Sequence, residues 1–403
     1  MIIVYLGNFV EPSQEFFIKN IACAKRVISI DSFQKMFLAG VEQSGSKFDY
    51  IFNVPDIGAF PKLCKKIKIP GGEFSYMRCK GRNISFLNIP YIKKYSIVRN
   101  LKRSLETYIK SVDNKDTFLI VVSTLYFQLI KPALDLKTRF TNVKICSIVY
   151  DLPDMLSGQQ SLPLRIASKI LSKANYEYDS AKYIDAFVVL SPYMMDKLRS
   201  KCPYMVMEGI YNDKLINNNS VEKSPKTILY TGTLDSRYGT DELVDAFRLI
   251  TDQDFQLWIC GDGAGRSHIE EAAKIDNRIK YFGIIDQQKV FQMQRQASLL
   301  INPRKASKDY TKYSFPSKTM EYMASGTPTM MYKLPALPEE YCPYLILLPD
   351  ESLETFSRAI YEWGCKDPSE LAVFGNNAKK FILENKTAKM QAIRFFTFLK
   401  KIF

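Results

Sequence analysis

Ile301-Asn302-Pro303-Arg304, and after a polar loop Phe315-Pro316-Ser317-Lys318-Thr319-Met320-Glu321, form the stretch from which the 403-residue chain is read. The apolar run Ala297-Ser298-Leu299-Leu300-Ile301 predicts a buried strand that Asn302-Pro303 stops. Phe315-Pro316-Ser317 predicts a helix start, with Pro near the first helical position, where its missing donor costs least. Thr319 to Ala324 is the expected helix. Ser325-Gly326-Thr327-Pro328 is its stop, with Gly326 as a left-handed cap, and Thr329-Met330-Met331-Tyr332 the next strand. A helix start just past a strand end offers unpaired amides and the positive end of a dipole, a setting that suits phosphate. Lys318 stands in that first turn, where a cation is mildly unfavourable unless an anion binds. The misplaced charge is the first pointer to function.

Strand then helix repeats on both sides of this stretch. Upstream, Met1–Leu6, Arg26–Ile30, Asp49–Val54, Ile84–Ile89, Phe118–Ser123, Val143–Val149 and Ala186–Leu190 have the apolar character of strands. Ser13–Ala24, Ser32–Val41, Ile97–Val112 and Leu162–Tyr178 have helical spacing. Asn, Ser, Lys and Pro between Ser191 and Pro225 suggest a linker. A second series follows, with strands at Ile228–Tyr230, Gln256–Cys260, Ile279–Phe282 and Leu299–Ile301, and helices at Thr240–Ile250, Ser267–Lys274 and Gln287–Gln296. Asp350–Glu362 and Pro368–Glu384 read as further helices. This alternation predicts two doubly wound α/β domains, residues 1–205 and 206–388. A final helix, residues 389–403, is expected to return to the N-terminal domain, its apolar side formed by Ile393, Phe396, Leu399 and Phe403.

Composition narrows the function classes. The eight cysteines lack CxxC spacing and there is one histidine, so neither a zinc cluster nor a disulfide framework is expected. The start of the chain reads as a strand rather than a signal peptide, and the longest near-apolar run, Phe118 to Ile130, is too short to span a bilayer. A cytoplasmic protein is expected. Residues 1–205 carry 30 Lys and Arg against 17 Asp and Glu, whereas residues 206–403 carry 26 against 25. Pro61–Lys110 alone holds 13 basic and 2 acidic residues. That asymmetry points to an anionic partner for the first half, such as lipid headgroups, pyrophosphate or nucleic acid. A solvated lysine-rich surface is the plainer alternative. No nucleic-acid recognition module is present, and no nucleic acid is expected as partner.

Three loops converge if the second domain is a parallel sheet, because ligands sit beyond the carboxyl ends of its strands. The first is Thr231-Gly232-Thr233-Leu234, leading to Arg237-Tyr238-Gly239. Its small residues let amides approach a diphosphate, with Arg237 to neutralise it. The second, Gly261-Asp262-Gly263-Ala264-Gly265, departs from GxGxxG at Arg266 and reads as a strand-ending turn. The third is the opening stretch, with phosphate on the Ser317-Lys318 helix start and Glu321 one turn on, an acceptor for ribose hydroxyls or simply a solvated carboxylate.

Asn302-Pro303-Arg304 and Ser314-Phe315-Pro316-Ser317-Lys318-Thr319-Met320-Glu321-Tyr322-Met323-Ala324-Ser325-Gly326-Thr327-Pro328 together resemble the donor-site motif of the family-4 retaining glycosyltransferases. The branch that builds bacterial capsular polysaccharides and exopolysaccharides is the most similar. Tyr230-Thr231-Gly232-Thr233-Leu234, Tyr238-Gly239, Gly261-Asp262-Gly263 and Phe282-Gly283 fall in the family's order. The resemblance covers roughly residues 225–345. It implies the GT-B fold, two facing Rossmann-like domains. It also implies transfer of a sugar with retention, from a nucleotide-sugar donor that is expected to be UDP-linked, with no metal or other cofactor. A lipid-linked oligosaccharide at the inner membrane face is the expected acceptor, met by the basic 61–110 segment on an anionic membrane surface.

By the same resemblance Glu321 holds the ribose, and Gly232 and Thr233 lie beneath the diphosphate. Lys318 or Arg237 stabilises the departing phosphate. Arg304 reaches the phosphates or an acidic sugar, Ile284 marks where backbone reads the base, and main chain from Phe315 through Pro316 to Ser317 faces the sugar. Two positions depart from the family. Tyr313 stands where the first Glu of its E-x7-E motif is expected, and Tyr150-Asp151 replaces a His-Asp pair, leaving Asp151 as the candidate for orienting sugar or acceptor. His268, in a predicted Glu-rich helix, has surface or capping character. Three other readings compete: a nucleotide-sugar epimerase of the same architecture, disfavoured by the missing His, a donor-binding member without catalysis, and an RNA- or DNA-binding protein using the basic face.

Overall fold

In the computed structural model the chain divides into two compact units, Met1–Ile210 with Ala388–Phe403, and Tyr211–Thr387. The structure describes residues 1–23, 29–112, 117–152, 174–213 and 221–403. Its divisions follow Ile210 and Thr387, against the 205 and 388 expected from composition.

The first unit is built on a sheet of β1 (Ile2–Gly7), β2 (Tyr50–Asn53), β4 (Gly72–Tyr76), β5 (Cys79–Asn83), β7 (Phe118–Val122), β8 (Val143–Val149), β9 (Ala186–Val189) and β10 (Tyr204–Val206). Their order is β10-β9-β8-β7-β1-β2-β5-β4. All neighbours are parallel except β4 and β5. A short antiparallel ribbon, β3 (Lys68–Ile69) with β6 (Phe86–Leu87), stands apart from it. β7, FLIVV, is buried at every position, as a central parallel strand covered on both faces must be.

Several local expectations change here. Ile30 belongs to a helix, Ser29–Gln43, and not to a strand over Arg26–Ile30, of which residues 26–28 lie outside the described set. Its spacing to Phe33 and Phe37 is helical, and that periodicity outweighs the β-branched character of a short run. The strand expected at Ile84–Ile89 is replaced by β5 and β6 on either side of a break. β5 alternates buried Cys79, Gly81 and Asn83 with exposed Lys80 and Arg82, so charge hides the pattern. The apolar run ending at Ile130 is two elements, β7 and a helix Phe127–Lys137. The helix read at Leu162–Tyr178 is described only from Ala174, where it continues to Ala181. Within the stretch read as linker stand a helix, Tyr193–Leu198, and β10.

The last helix, Ala388–Ile402, packs on Ser29–Gln43 in the first unit. Phe395 is fully buried and meets the Phe37 ring edge-on at 5.1 Å. A Cβ at Gly40 would come within 2.0 Å of the Ala388 carbonyl, so the two backbones touch. Gln391 Nε2 donates to the Gly209 carbonyl at 2.8 Å.

The second unit holds β11 (Thr227–Thr231), β12 (Gln256–Cys260), β13 (Ile279–Gly283), β14 (Leu299–Asn302), β15 (Thr329–Tyr332) and β16 (Ile346–Leu348). The sheet is parallel throughout, in the order β13-β12-β11-β14-β15-β16. The order reverses between β11 and β14. Loops leaving those two strands part to opposite sides and open a crevice at their carboxyl ends. Two glycines let the loops meet there backbone to backbone. Gly239 has φ +79°, and a Cβ on it would lie 2.1 Å from the Pro303 carbonyl of the β14 loop. Gly261 has φ +136°, and a Cβ there would lie 1.8 Å from the Gly232 carbonyl of the β11 loop.

Two substitutions check this packing. Phe395→Ala should lower the stability of the first unit by about 3–5 kcal/mol, through a buried cavity, read from its urea transition. An unchanged transition would mean that the last helix does not close this core. Gly239→Ala should cost clearly more than Gly45→Ala, which has φ +74° but open space around it. The second change carries only the left-handed penalty of about 1–2 kcal/mol, and equal losses in thermal unfolding would remove the clash from the account.

Candidate active site

The crevice between the β11 and β14 loops is a cleft of about 190 Å³ lined by Thr231, Gly232, Thr233, Asn302, Arg304, Pro316, Ser317 and Lys318, with Tyr230, Tyr238 and Tyr322. Clefts that bury a whole drug-sized ligand measure roughly 300–1,000 Å³, so this one encloses a phosphate-bearing part of a ligand, the rest of which would extend beyond it.

Its floor is fixed by hydrogen bonds inside the unit. The Tyr322 hydroxyl, fully buried, accepts from the Thr231 amide at 2.8 Å and donates to the Thr231 carbonyl at 3.0 Å. That clamps the helix Ser317–Ala324 to the end of β11, and burial pushes the phenol well above its ordinary titration range. Tyr230 donates to the Thr233 carbonyl at 2.8 Å and folds the loop over. The amides of Gly232 and Leu234 already bond to the carbonyls of Cys260 and Asp262. The β12 loop is therefore a brace for the β11 loop. Of these small residues, Thr233 is the one whose amide is left to a ligand.

The helix Ser317–Ala324 starts two residues earlier than the apolar spacing suggests, and Pro316 at its cap offers no side-chain acceptor. Its first amides are therefore uncapped, the condition for anion binding. Lys318 Nζ lies 2.9 Å from Glu321 Oε1. Glu321 also accepts from Gln294 Nε2 at 2.6 Å. Gln294 is buried and reaches Thr231 Oγ1 at 3.3 Å as well. Nothing in the helix Gln287–Gln296, whose other residues apart from Met293 are exposed or half-buried, singles out Gln294 from sequence; only the tertiary packing brings it to Glu321.

Arg304 is the other cation on the cleft. Its guanidinium lies 4.6 Å from the Tyr238 ring centre and 5.7 Å from that of Tyr310. The Nε is buried and has no hydrogen-bond partner. Two aromatic faces hold the charge by cation–π attraction without neutralising it.

Other predicted residues sit elsewhere. Arg237 does not line the cleft: its guanidinium is gripped by Asp235, with Nη2 to Oδ2 at 2.7 Å and Nε to Oδ1 at 3.0 Å, which holds that carboxyl below its usual range. Ile284 follows Gly283 at the end of β13, 78% exposed. The Phe315 side chain packs on Tyr341 at 5.3 Å inside the core, leaving only its backbone for a ligand. Tyr313 closes the 3-10 turn Asp309–Lys312 in the β14 loop. Asp151 follows β8 in the first unit.

Residues 225–363 match the family described as Glycosyl transferases group 1. No curated protein matches the sequence. Among solved structures the chain is similar to sucrose-phosphate synthase from Thermosynechococcus elongatus, at 16% identity and TM-score 0.60, covering 100% of this chain and 99% of that one. It is also similar to Anabaena HepE in complex with UDP, at 13% and 0.63 with both chains fully covered. The pneumococcal O-GlcNAc transferase GtfA in complex with UDP and GlcNAc is similar at 10% and 0.56, covering 100% and 99%. Likeness at these identities establishes the fold, the parallel α/β units of the GT-B class, while the family match speaks to the kind of enzyme. The chain is a transferase of GT-B fold whose residues 225–363 form a Glycosyl transferases group 1 domain.

Proposed function

We propose that the second unit binds a nucleoside diphosphate sugar, with UDP as the nucleotide, and that the chain transfers the sugar with retention to a lipid-linked oligosaccharide. The observation that carries the donor site is the cleft at the β11/β14 reversal. Arg304 and Lys318 face it, an uncapped helix start opens on it, and no carboxylate is among its lining residues. Such a surface selects a ligand with concentrated negative charge. The structures of HepE and GtfA hold UDP, which favours that nucleotide.

In this reading Lys318 leaves Glu321 when the diphosphate arrives. Glu321 then accepts hydrogen bonds from the ribose, still held by Gln294. As the bond from the anomeric carbon to the phosphate oxygen breaks, Lys318, Arg304 and the Ser317 and Lys318 amides meet the charge that develops there. The acceptor hydroxyl attacks from the same face, and its proton passes to the departing phosphate, so no histidine base is needed. Cations of the chain rather than a metal serve the leaving group. The polysaccharide setting rests on the motif resemblance around Ser314–Pro328, and a peripheral position at the inner membrane face is supported by the basic residues of Pro61–Lys110.

The second reading, a donor-binding member without catalysis, is favoured by Tyr313 in place of the carboxylate that relatives use toward the sugar. Tight UDP-sugar binding with neither transfer nor hydrolysis would select it.

Three substitutions test the donor site by calorimetry with UDP and by turnover of the UDP-sugar. Glu321→Ala should weaken UDP by about 10- to 100-fold, from the loss of hydrogen bonds to a charged group. Lys318→Ala should lower kcat by about 10²- to 10³-fold with a smaller change in UDP affinity. Gln294→Leu, which removes the brace but not the carboxylate, should weaken UDP less than Glu321→Ala does. Wild-type UDP affinity in both Glu321→Ala and Lys318→Ala would sink the assignment.

A further inference from the structure

Residues 59–68 and 86–95 fold together into one prominence on the first unit. Lys68 pairs across the β3–β6 ribbon with Leu87. The Asn88 amide donates to the Ile67 carbonyl at 2.6 Å, the Phe60 amide to the Asn88 carbonyl at 2.9 Å, and the Leu63 amide to the Ala59 carbonyl at 2.9 Å. The buried Asn88 side chain ties down the Gly58 and Lys66 carbonyls at 2.9 and 3.4 Å. The base is a cross-bonded platform.

What stands on that platform is apolar and exposed. Leu63, Ile67, Leu87, Tyr91, Ile92 and Tyr95 are each more than two-fifths exposed. They are six of the eighteen large apolar side chains left exposed among the described residues, gathered in one short part of the chain. Single exposed apolar residues are ordinary, whereas a gathered set marks a binding surface. Tyr91 is 86% exposed and has φ 64°, at the start of the helix Ile92–Ser111. A bulky residue at positive φ is strained, and no burial of the Tyr91 ring offsets that strain.

Lysines interleave with these side chains. Lys62, Lys65, Lys66 and Lys68 flank Leu63 and Ile67, all four are exposed, and none is in an ion pair among the described residues. Alternating aliphatic, aromatic and lysine side chains match the layering of a bilayer surface, where apolar groups enter the acyl boundary and ammonium groups stay with the phosphates. Nucleic acid would meet the lysines but give Leu63, Ile67, Leu87 and Ile92 nothing to bury against.

We propose that this prominence is an insertion surface for anionic phospholipid, with Leu63, Ile67, Leu87, Tyr91 and Ile92 entering the interface and Lys62, Lys65, Lys66 and Lys68 holding headgroups. It deepens the membrane position in the proposed function by naming which residues insert, and it is independent of whether the cleft binds UDP. Flotation of the full chain with vesicles of phosphatidylcholine, alone or mixed with phosphatidylglycerol, tests it. Binding to the anionic vesicles should exceed that to neutral ones by at least about tenfold, and Lys65→Gln with Lys66→Gln should lose about fivefold per lysine. Ile67→Ser with Ile92→Ser should lose about tenfold even at low salt, and Ile92→Trp emission should shift blue on the vesicles. Equal binding to both vesicles, no binding, binding untouched by the two serine changes, or capture by nucleic acid in place of vesicles would each overturn the proposal. UDP calorimetry on the same variants separates the two readings. A chain that binds UDP but does not float defeats this surface alone, and one that floats without binding UDP defeats the donor site alone.

Discussion

The close approach of three loop backbones in the second unit is the constraint on which its cleft depends. The β12 loop touches the β11 loop at Gly261, and the β11 loop touches the β14 loop at Gly239. Side chains at either point would push the loops apart by a carbon's width, and the cleft between Thr233 and the start of the helix Ser317–Ala324 would change shape. The Tyr322 hydroxyl completes the frame by bonding both polar backbone groups of Thr231. None of these contacts involves a ligand. A frame closed by the chain's own contacts spares a ligand the cost of ordering these loops.

Within the frame the charges are arranged in two different ways. Arg304 is held by aromatic faces and keeps its charge available. Lys318 is held by Glu321, which is itself held by Gln294. An ion pair with Lys318 41% and Glu321 20% exposed contributes little, about 0–1 kcal/mol, so exchanging it for phosphate and hydroxyl partners is inexpensive. The sequence oddity of a lysine in a helix's first turn is thereby resolved twice over: by a carboxylate one turn on in the free chain, and by an anion in the proposed complex.

How much of this could be read beforehand follows from the range of the interactions. The parallel sheets were legible because β7, β8, β11 and β14 are short, near-continuous apolar runs, and the helix at Ser317 because Pro316 and Gly326 punctuate it. The hairpin β4–β5 was not, since Lys80 and Arg82 alternate through β5 on a face of the sheet left open to solvent, and the charge breaks the apolar run that marks a strand. At the cleft, Lys318, Glu321, Gly232, Thr233 and Arg304 were legible from neighbours in sequence. Gln294 and Tyr322 were not, because their value comes from contacts to Thr231 across sixty or more residues. Arg237 shows the opposite limit: its local pairing with Asp235, two residues away, and its place outside the cleft lining are not visible in the motif around Gly232.

Tyr313 bears on what the cleft can select. A carboxylate at that place in the β14 loop would set a negative charge in the same loop as Arg304 and partly cancel it. With tyrosine there, Arg304 is in no ion pair among the described residues, the loop's Asp309 pairs with Lys312, and among the residues lining the cleft both charges are positive. Coulomb attraction between unit charges a few ångströms apart near a protein surface is several kcal/mol, so the two cations on the lining favour an anionic group more than any single neutral hydrogen bond does. The cleft of this chain is thus biased toward ligands whose negative charge is concentrated in one place, and a neutral sugar hydroxyl contributes less to recognition here than a phosphate does.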